Sequence, residues 1–534
     1  MRFGGLRRRA GRWAGGGLTA LVLALAAAGA PFGVEAEADV EAVFDERGEP
    51  RWAGASEIDR FLRAQFEELR LPGLAVLVVT RDGVRFEGMY GNADPAGRPV
   101  SSDTPFLLGS TSKQFTALAV HQLVVQGRLG LENAVGALVP ELAGTDSAFA
   151  AVTVEQLLGH TSGLSLNAGH EIWSLWPQAD SIRDEARRLL RDRPDAPPGE
   201  DYQYSNANYI VLGAIIEAVS GSTYEAALQD LVASPLGLDA TTSDLDRAHE
   251  AGLADGNYTW FRTVNLVTPS AASAAAAPAA YVTASARDLS RLVGAHLGAP
   301  SGVDPAVLEA VRLPRSRLDR LADYAGGWIV RPFWELTDRG AGWEDPGLPR
   351  IWEHDGNSLR AMSYIAFAPD VDLGVVVLTN TGRGTDDRRF LAFTSELLHE
   401  VVGTRAAPRT VDPLIAAAPL IMVGIPALQL VAILWLMAVG RRPPPSSIAR
   451  WMPVAIGALA TAAGLVVAFV ILPDRSRASL IDTWWWVGAP DLALSIGVSL
   501  ALSACWIALI TARLARRSRR RAGAQKTSGL GVEA

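Results

Sequence analysis

The stretch "FLLGSTSKQF" (residues 106–115) contains a residue that the chain otherwise avoids. Of 49 basic side chains only Lys113 and Lys526 are lysine, and Lys526 stands in a basic tail. Arginine keeps its proton under protein conditions, whereas a buried lysine can lose its charge and act as a base. Lys113 follows Ser110 by three residues. Phe115, Leu118, Ala119 and Leu123 recur at helical spacing, so a helix is expected from Ser110 to a stop at Gly127. That spacing places amine and hydroxyl on one side of the helix. The helix start adds free backbone N–H groups and a positive dipole end, which suit a developing oxyanion and a lysine of lowered pKa. Ser110 as a simple helix cap fits the same spacing, so the reading needs partners elsewhere.

Outward from this segment the patterns change type. "SEIDRFLRAQFEELRLPG" (56–73) has apolar residues at 58, 61, 62, 66 and 69, predicting a helix capped by Ser56 and ended by Pro72-Gly73. "LAVLVVTRDGVRFEGMYG" (74–91) predicts two strands joined at Arg81-Asp82-Gly83. Helical patterns and loops fill roughly 110–315. Strand-like runs return at "YAGGWIVRPFW" (324–334), "SYIAFAP" (363–369) and "LGVVVLTN" (373–380), and "RRFLAFTSELLHEVVG" (388–403) predicts a closing helix. The fold class expected is α+β: an antiparallel sheet flanked by terminal helices, with an all-helical lobe inserted and a cleft between them. "PSAASAAAAPAA" (269–280) reads as a low-complexity loop entering a helix, with no chemistry attached.

Two segments supply partners for Ser110 and Lys113. "PPGEDYQYSNANYIVLGAIIEAVSG" (197–221) carries Tyr204-Ser205-Asn206 at the start of a helical pattern, and "WEHDGNSLRAMSYIAFAPD" (352–370) carries His354-Asp355-Gly356 before a strand. With Ser110-x-x-Lys113 ahead of them, these stretches resemble the serine β-lactamase and penicillin-binding superfamily, particularly class C β-lactamase-like serine hydrolases. "VEQLLGHTSGL" (154–164) resembles another stretch common there. The resemblance runs from about 56 to 403. It implies Ser110 as the acylated nucleophile, Lys113 as its base, and Tyr204 as a proton relay to the leaving group and the hydrolytic water. It implies Asn206, His354 and Gly356 as substrate-binding positions, and the backbone N–H groups of Ser110 and Asn357 as the oxyanion hole. A serine hydroxyl needs such a nearby base to become a good nucleophile. His160 is read as structural.

Three departures bear on specificity. Histidine stands at 354 where many penicillin-recognising enzymes have lysine, Asp355 where a hydroxyl residue is common, and Arg360 where a glycine is frequent. A fixed cation for a substrate carboxylate is therefore missing.

The ends carry a different message. Residues 1–36 place five arginines ahead of "LTALVLALAAA" and end at "VEA", the layout of a secretory signal cleaved after Ala36, with an uncleaved anchor as the alternative. Residues 37–405 are expected to form the hydrolase domain. Three uncharged apolar runs follow within 411–512, near 414–439, 452–472 and 492–510, each about long enough to cross a bilayer. Arginines fill the first connection and the 513–534 tail, which puts both in the cytoplasm and the domain before residue 411 outside. "TWWW" (483–486) falls near the outer interface.

The exported segment has 32 basic against 51 acidic side chains, which disfavours nucleic-acid binding. The sole cysteine, Cys505, lies in the third apolar run, so no disulfide and no cysteine–histidine metal cluster is expected. No cofactor is implied. The partners expected are a small-molecule or peptide substrate and the lipid bilayer. The reading is a multi-pass cell-membrane serine hydrolase facing outward, cleaving an amide or ester through an acyl-serine. The whole layout also resembles prodrug-activating peptidases that remove an acyl-D-amino-acid cap. An esterase, a D-amino-acid peptidase acting on wall peptides, a β-lactamase, a penicillin-binding carboxypeptidase and a non-catalytic β-lactam or peptide sensor stay open.

Overall fold

Strands whose residues are buried on both faces need cover on both sides, and the middle of this sheet has it. A computed structural model describes residues 52–143, 148–164, 179–190, 194, 196–268, 273–337, 347–382, 387–406, 413–439 and 490–528. The signal-like segment 1–36, the apolar run 452–472 and "TWWW" lie outside the described residues. By its contacts the chain falls into two units, Met1–Ala42 with Arg409–Ala418, and Val43–Pro408 with Pro419–Ala534. The account below concerns the second.

Thirteen strands occur among the described residues: β1 (Gly73–Thr80), β2 (Gly83–Gly91), β3 (Pro105–Leu107), β4 (Asn257–Trp260), β5 (Val264–Val267), β6 (Thr283–Ser285), β7 (Ser316–Arg317), β8 (Asp323–Tyr324), β9 (Ile329–Pro332), β10 (Arg350–Asn357), β11 (Met362–Ala368), β12 (Leu373–Thr379) and β13 (Thr381–Gly382). Eight of them form one antiparallel sheet in the order β2-β1-β12-β11-β10-β9-β8-β7. β11 and β12 are buried at every position, whereas edge strand β2 alternates over its second half. One face of β1, with Leu74, Val76 and Val78, packs on Ile58 and Leu62 of the Ala55–Glu68 helix and on Phe390, Phe393, Leu397 and Val401 of the Asp387–Val402 helix. The opposite face, with Ala75, Leu77 and Val79, joins the Ala286–Leu297 helix and the helical lobe. The predicted α+β layering is therefore present.

Two local expectations change. The first helix is not capped by Ser56; its N-cap is Gly54, whose N–H donates to Glu57 Oε2 at 2.9 Å. A glutamate reaching back one turn satisfies that end without a serine. The Ser112–Val125 helix is also not apolar on one face alone. Ser112 through His121 are all buried, because neighbouring elements enclose it on every side. A two-stranded ribbon of β3 with β6 leads into it, and a small sheet β13-β4-β5 lies beside the main one.

Two helices, Pro413–Val439 and Pro490–Ser528, contain stretches long and apolar enough to cross a membrane, Pro419–Ala438 and Pro490–Arg513, with mean hydropathy 2.3 and 2.2. Gln429 Nε2 donates to Ser503 Oγ at 2.9 Å, joining the two. Leu420, Val431, Leu434 and Met437 are exposed.

Behind the main sheet, Arg331 on β9 holds Glu335 and Glu353 in a nearly solvent-free triad, with contacts of 2.8 Å to each. Tyr364 on β11 donates to Glu353 and Ser395 of the closing helix donates to Glu335, so one guanidinium ties three strands to a helix. Arg331→Met should leave two buried carboxylates uncompensated and cost about 3–5 kcal/mol, read as a lowered midpoint in urea unfolding.

Candidate active site

Ser110 stands in a single 3₁₀ turn, Gly109–Thr111, that runs directly into the Ser112–Val125 helix. Its hydroxyl caps neither element, so the capping alternative falls away. The turn is clamped from below. Thr111 Oγ1 donates to Leu108 O at 2.9 Å, and Ser363 Oγ on β11 donates to the same carbonyl at 2.6 Å. Gly109 has φ +60, and a Cβ there would collide with the backbone of Asn357. Gly356 is buried, and a Cβ there would strike Leu108 O and Ser363 Oγ. The glycine of the His-Asp-Gly stretch thus lets β10 press against the serine turn, which brings the backbone of Asn357 beside that of Ser110's neighbour.

Three side chains converge on Ser110. Lys113 Nζ lies 3.2 Å from Ser110 Oγ, and Tyr204 OH donates to the same oxygen at 2.7 Å. Lys113 Nζ also donates to Asn206 Oδ1 at 2.7 Å and to Ala279 O at 2.8 Å. The lysine is fully buried, and burial pushes its pKa well below 10.5, with the charge of Asp355 opposing. In the neutral amine two hydrogens go to Asn206 and Ala279, and the lone pair is left for the serine proton. The rings of Tyr204 and Tyr209, at 4.9 and 5.6 Å from Nζ, complete the apolar surroundings. Burial raises the Tyr204 pKa well above 10, which the Ser110 contact only partly offsets, so its phenol stays protonated and donates. The arrangement can pass the serine proton to Lys113 while Tyr204 offers one to a departing group.

Tyr204 and Asn206 are placed by the start of the Asn206–Ser220 helix, whose N-cap is Ser205. His160 holds that start. Its Nδ1 accepts from Ser205 N at 3.2 Å and pairs with Asn208 Nδ2 at 2.8 Å, and its ring lies 4.5 Å from that of Tyr204. Burial pushes the His160 pKa well below 6.5, and any charge on Lys113 or His354 would push it further. A neutral imidazole is what an acceptor at Nδ1 requires.

His354 lies 6.3 Å from the Tyr204 ring, centroid to centroid, and is buried. Its Nδ1 donates to Asp355 O at 2.6 Å, so that nitrogen carries the proton, and Nε2 faces Tyr324 OH at 3.4 Å. Burial lowers its pKa from 6.5, the nearby Asp355 charge raising it and that of Lys113 lowering it further. This position therefore offers no permanent cation. Asp355 is partly exposed, and its charge reaches both Lys113 and Tyr204. Arg360 does not supply the cation either. It is buried with its guanidinium 5.5 Å over the Tyr258 ring and Nη1 on Leu359 O.

One partner was missed in the sequence. The alanine-rich stretch assigned no chemistry furnishes Ala279 O to Lys113 and Pro278 O to Thr116. Backbone carbonyls leave no side-chain signal, so composition could not have found them. Tyr324, read simply as the start of a strand, proved to border both His160 and His354. No group of three or more potential metal ligands occurs among the described residues.

Comparison with known proteins adds independent findings. The family model described as Beta-lactamase matches residues 58–398. Penicillin-binding protein 4 of Amycolatopsis lactamdurans is 30% identical over 375 residues, covering 65% of this chain and 93% of its own. A class C beta lactamase from Rhodobacter sphaeroides superposes with a TM-score of 0.53 at 25% identity, over 65% of this chain and 99% of its own. The D-alanine carboxypeptidase AmpC from Burkholderia cenocepacia gives 0.53 at 22% identity, over 65% and 98%, a likeness of fold.

Gly356→Ala tests the close approach on which the serine turn depends. It should cost about 1–3 kcal/mol through overpacking and lower kcat, measured by urea unfolding alongside turnover of an activated ester.

Proposed function

Because the chain belongs to the beta-lactamase family of serine hydrolases, we propose that it is a membrane-anchored, outward-facing hydrolase that cleaves an amide or ester through an acyl-serine. The observation that carries the reading is Ser110 Oγ held between a buried, neutral-leaning lysine at 3.2 Å and a protonated tyrosine at 2.7 Å. In acylation Ser110 Oγ attacks the carbonyl carbon as its proton moves to Lys113, and the carbonyl oxygen takes negative charge between the N–H groups of Ser110 and Asn357. Collapse of that intermediate breaks the bond to the leaving group, which takes a proton from Tyr204. The proton that Lys113 took from the serine restores Tyr204. Water then attacks the acyl-serine by the same relay in reverse. Asn206 holds Lys113 through Oδ1 and so keeps the amine beside Ser110.

The anchoring rests on the two apolar helices, on the apolar run 452–472 that the sequence places between them, and on the arginines that follow the last, an odd number of crossings that puts the domain before residue 411 outside and the tail inside. Peptidase or esterase action fits the third motif better than β-lactam or free-acid recognition does, since that corner offers a neutral His354 and an acidic Asp355. An ionised Asp355 should repel a substrate carboxylate by about 1–4 kcal/mol at 4 Å.

A fluorophosphonate probe should label the wild type and not Ser110→Ala, whereas labelling of that variant would remove Ser110 as the nucleophile. Lys113→Arg keeps the charge and should lower kcat by about 10² or more, because guanidinium does not accept a proton at working pH. For the wild type kcat/KM should fall as pH drops through the lowered Lys113 pKa, since the base works only as the free amine. Near-normal turnover by a folded Lys113→Arg protein would refute the base assignment. With matched acyl-D-amino-acid substrates, the amide-capped form should outcompete the free acid, and Asp355→Thr should narrow the gap. A wild type that prefers the free acid would contradict this account of the third motif.

A further inference from the structure

The hairpin of β4 and β5 exposes apolar side chains that nothing among the described residues covers. Val264, Leu266 and Val267 are 51%, 48% and 49% exposed, on a strand at the edge of the small sheet. Trp260 and Phe261 at the turn are half-buried. Exposed Arg70 flanks the patch; it donates to Thr263 O, and its carbonyl accepts from Asn265. An aromatic and aliphatic tip bordered by an exposed arginine is a composition that settles at a lipid headgroup boundary.

A second, independent observation says what lies next to the patch. Asp491, in the first turn of the apolar helix Pro490–Ser528, is 1% exposed. Its carboxylate accepts from Tyr258 OH at 2.8 Å and from Phe261 N at 2.9 Å. The turn it grips is strained, with Phe261 at φ 47 and Arg262 at φ 57, a left-handed conformation that bulky residues rarely adopt. The hairpin is thus bonded to the very first turn of a stretch long enough to span a bilayer, and no linker separates them. On its other side the hairpin meets the active-site strands. Asn257 N donates to Arg360 O at 3.1 Å, Arg360 stacks over Tyr258, and Arg360 lies three residues beyond Asn357.

We propose that the β4–β5 hairpin is a bilayer-contacting wedge: Trp260, Val264, Leu266 and Val267 enter the outer headgroup boundary, Arg70 meets anionic lipid, and Asp491 locks the wedge to the last helix. The proposal rests on the membrane-anchored reading above. It fixes the domain directly on the bilayer, with the β10–β11 turn two contacts from lipid.

The test uses the full chain with Cys505→Ala, in nanodiscs of phosphatidylcholine and phosphatidylglycerol. Single cysteines replace Leu266 or Val267, with Leu434 on the other apolar helix and Val125 on the exposed end of the Ser112–Val125 helix as references. Each carries a nitroxide whose relaxation is measured with oxygen and with nickel-EDDA. Oxygen should outweigh nickel severalfold at Leu266, Val267 and Leu434, and the order should reverse at Val125. Asp491→Ala should sharpen the spectrum at Leu266 and move its ratio toward that of Val125; an unchanged spectrum and ratio would overturn the lock. A water-like ratio at both hairpin sites with a lipid-like one at Leu434 overturns the wedge and spares the anchoring. Water-like ratios at all three overturn both. Protection of the hairpin sites from both reagents means that a second copy of the chain covers the patch, and also overturns the proposal.

Discussion

A fully buried amine with no carboxylate in contact is the constraint to which the rest of the site conforms. Solvation is what keeps lysine charged, and burial of Lys113 withdraws it. The surroundings then have to satisfy a neutral amine without restoring the charge. Asn206 and Ala279 do so with two carbonyl oxygens, which accept hydrogens yet carry no formal charge. A carboxylate in either place would hold the proton on the lysine. Asp355 exerts such a pull from farther away, where it moderates the shift without contacting the amine. The same burial acts in the opposite sense on Tyr204, keeping its proton in place, so one environment favours a free amine and a protonated phenol on either side of Ser110.

Holding that geometry requires backbone to approach backbone. The serine turn is pressed between β10 and the carbonyl–hydroxyl contacts of Leu108, Thr111 and Ser363, and side chains at Gly109 and Gly356 would wedge it open. The opposite face of the sheet is fixed with charge. Arg331, Glu335 and Glu353 join the strands to the closing helix, and Tyr364 on β11 contributes to the same network. Glu353 belongs to that network while its neighbour His354 borders the cleft, because successive residues of a strand point to opposite faces. One strand therefore carries the ion-pair network on one side and borders the candidate site on the other.

His160 illustrates how a residue with no contact to Ser110 sets the geometry around it. By accepting the N–H of Ser205 it fixes the entry to the helix that presents Tyr204 and Asn206. Asp491 stands in a similar relation to the hairpin beside Arg360, and both depend on a single acceptor at the start of a helix.

How much was legible follows from what each signal consists of. The isolated Lys113, its distance from Ser110, and the order of Tyr204-Ser205-Asn206 and His354-Asp355-Gly356 are side-chain facts. The chain states them outright, and the structure gathers these three segments into one site. Period-two and helical patterns likewise gave the α+β layering, since burial on one face or two imprints itself on residue choice. The cap at Gly54 and the all-round burial of the Ser112–Val125 helix were not legible, because a glycine has no capping side chain and enclosure depends on distant neighbours. Ala279 and Pro278 act through carbonyls that any residue possesses. The meeting of Asp491 with Tyr258 and Phe261 joins positions more than two hundred residues apart. Sequence by itself determined which chemical groups the site would hold and in what order the chain delivers them. The tertiary structure alone decided their charge states and mutual reach, because desolvation and backbone approach are properties of the packed whole and of no single residue.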